Sequence, residues 1–167
     1  AIEVLQGGGN FIPTCAAMFR ASCIPKITDF FSKKSVQFGD YYIQTICAAP
    51  NGAVYLPEIM SVYRRGIYGS YTELQKQLKN YEVKYNNQVF IDSLAGLSEF
   101  GYAEQDLNQI ASQSLAVTAL FFLKESDTKT ARKLFKKSLR KSNNLTTYKL
   151  FLLLSLYIIP INILWIN

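Results

Sequence analysis

An aspartate at the start of an amphipathic helix is the first candidate for chemistry in this chain. Asp40 follows Gly39, and apolar residues recur at helical spacing, at positions 42, 43, 46 and 49, before the turn at 50–52. The carboxylate of Asp40 has two interpretations. It can cap the helix by accepting backbone N–H groups of the first turn, or it can take a proton from an incoming hydroxyl as a general base. Local sequence alone favours the cap.

The amino-acid composition excludes several kinds of catalytic site. The 167 residues include no histidine, which excludes Ser-His-Asp and Cys-His catalysis and histidine metal sites within this chain. The three cysteines, Cys15, Cys23 and Cys47, lie among apolar residues without C-x-x-C spacing. They are interpreted as small buried thiols, which suit a reducing compartment.

Residues 1–70 are predicted to form a mixed α/β region. Short apolar runs rich in β-branched and aromatic residues predict strands at 2–5, 53–56 and 59–64. The helix that begins near Asp40 lies between them. The glycines at 7–9 match no phosphate-binding motif, so they predict a flexible loop.

Three segments in order make this region resemble the second half of the family 2 glycosyltransferases, which have the GT-A fold. The segments are Ile12-Pro13-Thr14-Cys15-Ala16-Ala17-Met18-Phe19-Arg20, Gly39-Asp40-Tyr41-Tyr42 and Tyr55-Leu56-Pro57-Glu58-Ile59-Met60-Ser61-Val62-Tyr63-Arg64. The resemblance covers roughly residues 8–72. It implies a partial GT-A-like α/β fold, followed by an all-α extension.

The resemblance also implies roles for residues of these segments. Asp40 corresponds to the catalytic base of inverting sugar transfer, and five residues are implied to contact substrate: Thr14, Arg20, Gly39, Arg64 and Arg65. The substrates would be a nucleotide-sugar donor and a glycan or lipid-linked acceptor. The family's nucleotide-binding half and its D-x-D motif have no counterpart in this sequence. The divalent metal, Mg or Mn, is therefore expected to have its ligands outside this chain.

Helical periodicity dominates the rest of the sequence, and residues 71–145 are predicted to be a helical extension. Ser70 and Glu73 have the spacing of a capping box, followed by an apolar stripe that reaches position 97. Two further helices are predicted, from Ala103 to Lys124 and from Asp127 to Lys141. Their apolar stripes are interpreted as packing surfaces.

The net charge of +6 is concentrated in one region. Residues 124–149 hold nine Lys and Arg against two acids, whereas the rest of the chain has nine bases and ten acids. Residues 146–167 follow as an apolar segment without charge from Leu150 to Ile166. A basic helix beside an apolar segment indicates an anionic membrane surface, although a helix buried on the protein remains the alternative. Nucleic-acid binding is disfavoured because aromatic residues are not interleaved with the bases.

Together these features predict the C-terminal part of an inverting glycosyltransferase, inactive without its nucleotide-binding half. Such a chain would lie at the cytoplasmic face of the cell membrane, peripheral or tail-anchored. An unpaired sheet edge would also allow a homodimer. The alternatives are a non-enzymatic, membrane-docked helical interaction module and a truncated remnant without activity.

Overall fold

The fold is all-helical. The structure is a computed structural model that describes residues 1–8, 11–64, 66–70, 73–74, 77–144 and 147–158. Its helices are α1 (Ile2–Gly7), α2 (Ile24–Lys33), α3 (Gly39–Ala48), α4 (Asn80–Leu94), α5 (Glu104–Lys124), α6 (Thr128–Lys141) and α7 (Thr147–Leu153). Short 3-10 helices at Thr14–Ala16, Ala21–Cys23 and Ala95–Phe100 and a π-helical turn at Leu154–Ile158 complete the described elements.

The predicted α/β fold of residues 1–70 is therefore wrong, because no β-strand occurs in the described parts of the chain. Residues 2–5 lie in α1, which buries Val4 and Leu5. The segment at 14–20 is a 3-10 turn followed by extended backbone. An apolar run this short is compatible with either a strand or a buried helix, and packing decides between them.

The two other predicted strands are wrong for a different reason. Residues 53–56 and 59–64 have no regular secondary structure, and their apolar side chains face solvent, with Val54 88% and Ile59 94% exposed. Strand propensity mostly reflects packing against cross-strand neighbours. No described segment pairs with these residues, so their composition does not produce a sheet.

The helix predictions downstream are largely confirmed. Helix α3 matches its predicted bounds closely, α5 covers 104–124, and α6 begins after Asp127. The Asp127 carboxylate accepts the Thr130 N–H at 3.0 Å, and hydrogen bonds from Thr130 hold the pKa of Asp127 below its usual value.

The long helix predicted from Ser70 is interrupted: Glu73 and Leu74 are helical and each donates its N–H to the Ser70 carbonyl at 3.0 Å, but residues 77–79 are not helical. Helix α4 begins at Asn80, where the Glu82 carboxylate accepts the Lys79 N–H at 2.8 Å. The hydroxyl of Ser70 has no hydrogen-bond partner among the described residues, so the serine half of the predicted capping box is not observed there. Gly101, with φ 91°, ends the following 3-10 helix in the left-handed conformation that glycine tolerates best.

The first core cluster joins the N-terminal helices to the middle of the chain. It includes Phe30 from α2, Tyr42 from α3, Leu97 from the 3-10 helix and Leu107 from α5. The Phe30 and Tyr42 rings stack with centroids 5.4 Å apart. Residues on both sides of the predicted boundary at position 70 thus share one core.

Helix α5 continues into a second core cluster with α6 and the C-terminal turn. Its members include Leu115 and Phe122 from α5, Phe135 from α6, and Leu152 and Leu156 from the last described segment. No helix in the described residues is long and apolar enough to cross a membrane. Residues 159–167, nine of the 22 residues in the predicted apolar segment, lie outside the described residues.

Helices α5 and α6 approach closely through small side chains. The Ser112 hydroxyl donates to the Ser138 carbonyl at 2.7 Å, and the Ser138 hydroxyl donates to the Ser112 carbonyl at 2.7 Å. Four alanines on the same two helices are also buried, each at most 3% exposed: Ala111, Ala116, Ala119 and Ala131. The reciprocal pair satisfies buried hydroxyls and fixes the register of the two helices.

Replacement of Ser112 with alanine is expected to lower the free energy of unfolding by about 1 kcal/mol, because one buried hydrogen bond between α5 and α6 is lost. Urea denaturation followed by circular dichroism measures the change. Ser98→Ala, on an exposed side chain, is the control and should change stability by less than about 0.5 kcal/mol. Equal effects of the two substitutions would contradict the importance of the pair.

Candidate functional site

Thr14 and Asp40, two residues singled out by the resemblance, are in contact. The Thr14 hydroxyl donates to Asp40 Oδ2 at 2.9 Å, across 26 positions of sequence. The other carboxylate oxygen, Oδ1, accepts the backbone N–H of Tyr41 at 2.9 Å. Both oxygens of Asp40 therefore have a donor, one from a side chain and one from the backbone.

Helix α3 positions the carboxylate. Gly39 is its first residue and Asp40 its second, so the charge lies in the first turn, where the helix dipole favours an anion. Asp40 is half-buried and Thr14 is exposed. The Thr14 hydroxyl lies at the distance from Oδ2 that proton transfer to a general base requires.

The backbone just before Asp40 is strained. Phe38 has the left-handed conformation, φ 63° and ψ 60°, which costs a bulky residue about 1–3 kcal/mol. Its ring packs edge-on against Phe90 at 5.8 Å. Contacts between α3 and α4 thus hold a conformation that the Phe38 backbone would not adopt alone, and this sets where α3 begins.

Gln44 is a site residue that the sequence did not reveal. Its side chain is buried, and its Nε2 donates to the Ile12 carbonyl at 2.8 Å. Because Gln44 lies one helical turn after Asp40, both side chains reach the segment that carries Thr14. In the sequence, the position of Gln44 one helical turn after Asp40 was the feature that could have identified it. The segment that carries Thr14 also contacts Ser61, because Cys15 Sγ lies 3.9 Å from Ser61 Oγ.

The two predicted arginines that the structure describes form no hydrogen bond or ion pair with Asp40. Arg20 precedes the 3-10 helix at Ala21–Cys23 and is exposed, as is Arg64. Neither guanidinium forms a hydrogen bond or ion pair within the described residues. Gly39 has room for a methyl group, 3.5 Å from the Phe31 ring, so space alone does not require glycine. Arg65 lies outside the described residues.

The described residues do not supply a metal site. No group of three Cys, Asp or Glu side chains in them is arranged to hold a metal ion. Asp40 is a single carboxylate whose oxygens both accept hydrogen bonds. The expectation that Mg or Mn is bound by ligands outside this chain stays a prediction.

Comparisons with known proteins give no relative for this chain: no family model, no curated protein and no solved structure matches it.

Proposed function

We propose that this chain provides the acceptor-side residues of an inverting glycosyltransferase, with Asp40 as the general base. The reaction would move a sugar from a nucleotide-sugar donor to a glycan or lipid-linked acceptor. The observation that carries the proposal is the hydrogen bond from Thr14 to Asp40. The order of motifs had assigned both residues to one site, and they belong to segments far apart in sequence.

In this mechanism the acceptor hydroxyl takes the position of the Thr14 hydroxyl at Asp40 Oδ2. Asp40 accepts its proton while the oxygen attacks the anomeric carbon from the side opposite the leaving group. One C–O bond forms, the bond to the nucleotide diphosphate breaks, and the anomeric configuration inverts. The backbone N–H of Tyr41 holds Oδ1 throughout, which keeps the carboxylate oriented toward the acceptor.

Asp40→Asn tests the proposal. The amide keeps the size of the side chain but cannot accept the proton, so sugar transfer should fall by about 10²–10⁴-fold. The assay follows labelled sugar from the nucleotide-sugar donor into product, with the native polypeptide in membranes of its source cell. Asp29→Asn is the matched control, because Asp29 forms only an exposed pair with Lys33 on α2.

Thr14→Val refines the test, since it removes the hydroxyl and leaves the carboxylate in place. We expect transfer within about tenfold of the parent, because the acceptor hydroxyl displaces the Thr14 hydroxyl from Oδ2 and Thr14 does not accept the proton. Circular dichroism spectra of all variants should coincide. If Asp40→Asn transferred sugar as fast as Asp29→Asn, Asp40 would not be the general base. A product with retained anomeric configuration would exclude the inverting mechanism.

A second candidate is a non-enzymatic, membrane-docked helical interaction module. The all-helical fold and the exposed basic face of α6 favour it. Peripheral attachment at the cytoplasmic membrane face and homodimer formation are compatible with both candidates. The transfer assay separates them: a folded native polypeptide that binds anionic vesicles but transfers no sugar would support the module. Sedimentation analysis tests the homodimer.

A further inference from the structure

Helix α6 carries seven exposed cations in two rows with a spacing of four residues, Lys129, Lys133, Lys137 and Lys141 in one and Arg132, Lys136 and Arg140 in the other. Like charges at this spacing destabilise a helix. None of these cations forms an ion pair with a carboxylate in the described part of the chain. Folding alone does not require such a concentration of charge, which indicates an anionic ligand.

One edge of this charged surface borders a groove between α4, α5 and α6. The groove has a volume of about 450 Å³. Three of its lining residues are cations, Lys137, Arg140 and Lys141, and two are amides on the facing helices, Gln88 and Asn108. The other four cations of α6 are not among the residues that line the groove; Arg132, for example, lies over the Tyr157 ring at 5.7 Å.

Hydrogen bonds across the groove hold its polar groups in place. Asn108 Oδ1 accepts from Lys141 Nζ at 3.2 Å, and Asn108 Nδ2 donates to Glu104 Oε1 at 3.4 Å. Glu104 is the one carboxylate among the groove's lining residues. Three cations and one anion leave the groove with a charge of +2.

We propose that this groove, here called the phosphate groove, binds a phosphate monoester or diphosphate group. Such a group carries a charge near −2 and several strong acceptor oxygens, which match the groove's charge and its ammonium, guanidinium and amide donors. A carboxylate would neutralise only half of that charge. The groove's volume of about 450 Å³ also leaves room for the part of the ligand to which the phosphate is attached. The ligand could be a lipid headgroup or a soluble compound. The proposal does not depend on sugar transfer.

The test compares two triple variants with the same change in charge on the same helix. The groove variant is Lys137→Gln, Arg140→Gln and Lys141→Gln; the control is Lys129→Gln, Lys133→Gln and Lys136→Gln. The soluble probe is inorganic pyrophosphate, measured by calorimetry. The lipid probe is a phosphatidylcholine vesicle containing phosphatidate, measured by sedimentation. An ionic strength of about 0.15 M limits long-range attraction.

The groove variant should lose tenfold or more in affinity, and the control at most about threefold, because only the groove cations contact the phosphate. Binding of pyrophosphate alone would indicate a soluble ligand, and binding of phosphatidate vesicles alone a lipid headgroup; either supports the proposal. Glu104→Gln should tighten binding severalfold by removing the opposing charge. Equal losses in the two triple variants, or no binding of either probe, would overturn the proposal.

Discussion

Replacement of Phe30 with alanine is expected to lower the free energy of unfolding by about 3–5 kcal/mol. Phe30 is 2% exposed and contacts three aromatic rings, with centroids 5.4 Å from Tyr42, 5.9 Å from Phe100 and 6.2 Å from Phe31. Truncation removes these contacts and leaves a cavity where α2, α3 and the 3-10 helix at Ala95–Phe100 meet. A loss of this size is a large fraction of the stability of an ordinary domain.

A double-mutant cycle with Gly96 makes this prediction specific. A Cβ at position 96 would lie 2.8 Å from Cε2 of Phe30, so Gly96→Ala alone should cost about 1–3 kcal/mol through overpacking. In the Phe30→Ala background that clash is absent and the methyl group occupies part of the cavity. The two substitutions together should therefore cost less than the sum of their separate costs.

Urea denaturation of the four proteins in the cycle provides the measurement, and Phe19→Ala is the matched control because Phe19 is 47% exposed. The control should change stability by less than about 1 kcal/mol. If Phe30→Ala cost no more than Phe19→Ala, or if the Gly96 and Phe30 effects were additive, the packing described for this cluster would be wrong.

Local sequence signals were sufficient for α3, α5 and α6, and insufficient for α1 and for the segments at 53–56 and 59–64, which were predicted to be strands. Asp127 predicted the start of α6, because a cap and an apolar stripe are properties of one segment. Residues 53–64 have strand composition, but a strand exists only when a second segment supplies its hydrogen bonds and neighbours. That information is not local, so the α/β prediction for residues 1–70 was wrong.

For the candidate site, too, features of a single segment were predictable from the sequence, whereas contacts between segments were not. Periodicity predicted that a helix begins near Asp40, and α3 does begin at Gly39. Asp40 is not the N-cap, which is Phe38, although its carboxylate accepts the Tyr41 N–H and the Thr14 hydroxyl. Its role as a general base stays a prediction. The contact with Thr14 followed only from the resemblance. Gln44 and the phosphate groove depend on how α3, α5 and α6 pack, and no spacing within one helix encodes that packing.

Alkaline pH should unfold the protein cooperatively between about pH 10 and 12, because the first core cluster buries tyrosine hydroxyls. Tyr41, Tyr42 and Tyr102 donate to the backbone carbonyls of Leu5, Phe90 and Thr45 at 3.0, 2.9 and 2.8 Å. Burial raises the pKa of Tyr102 to about 12 and raises the pKa of Tyr41 and Tyr42 as well. Burial also raises the pKa of the Cys47 thiol to about 12.

The sign of the effect follows from proton binding. Above pH 10 the unfolded chain loses its tyrosine protons while the folded chain keeps those of the buried hydroxyls. The folded state then binds more protons, and stability falls as pH rises. Each buried tyrosine contributes about 1.4 kcal/mol per pH unit, so the three together remove about 4 kcal/mol per unit. Lys149 has the opposite effect on stability, because burial lowers its pKa. It is one group against three tyrosines, so the tyrosines determine the direction.

The measurement is a pH titration that follows tyrosinate absorbance and far-ultraviolet circular dichroism together. The buried tyrosines should ionise in the same step in which helicity is lost. Tyr102→Phe should reduce the pH dependence of the unfolding free energy by about 1.4 kcal/mol per unit, whereas Tyr81→Phe, at a side chain 67% exposed, should not change it. Because the buried hydroxyls are bonded to carbonyls of other segments, ionisation of all eleven tyrosines near pH 10 with helicity intact would contradict the first core cluster.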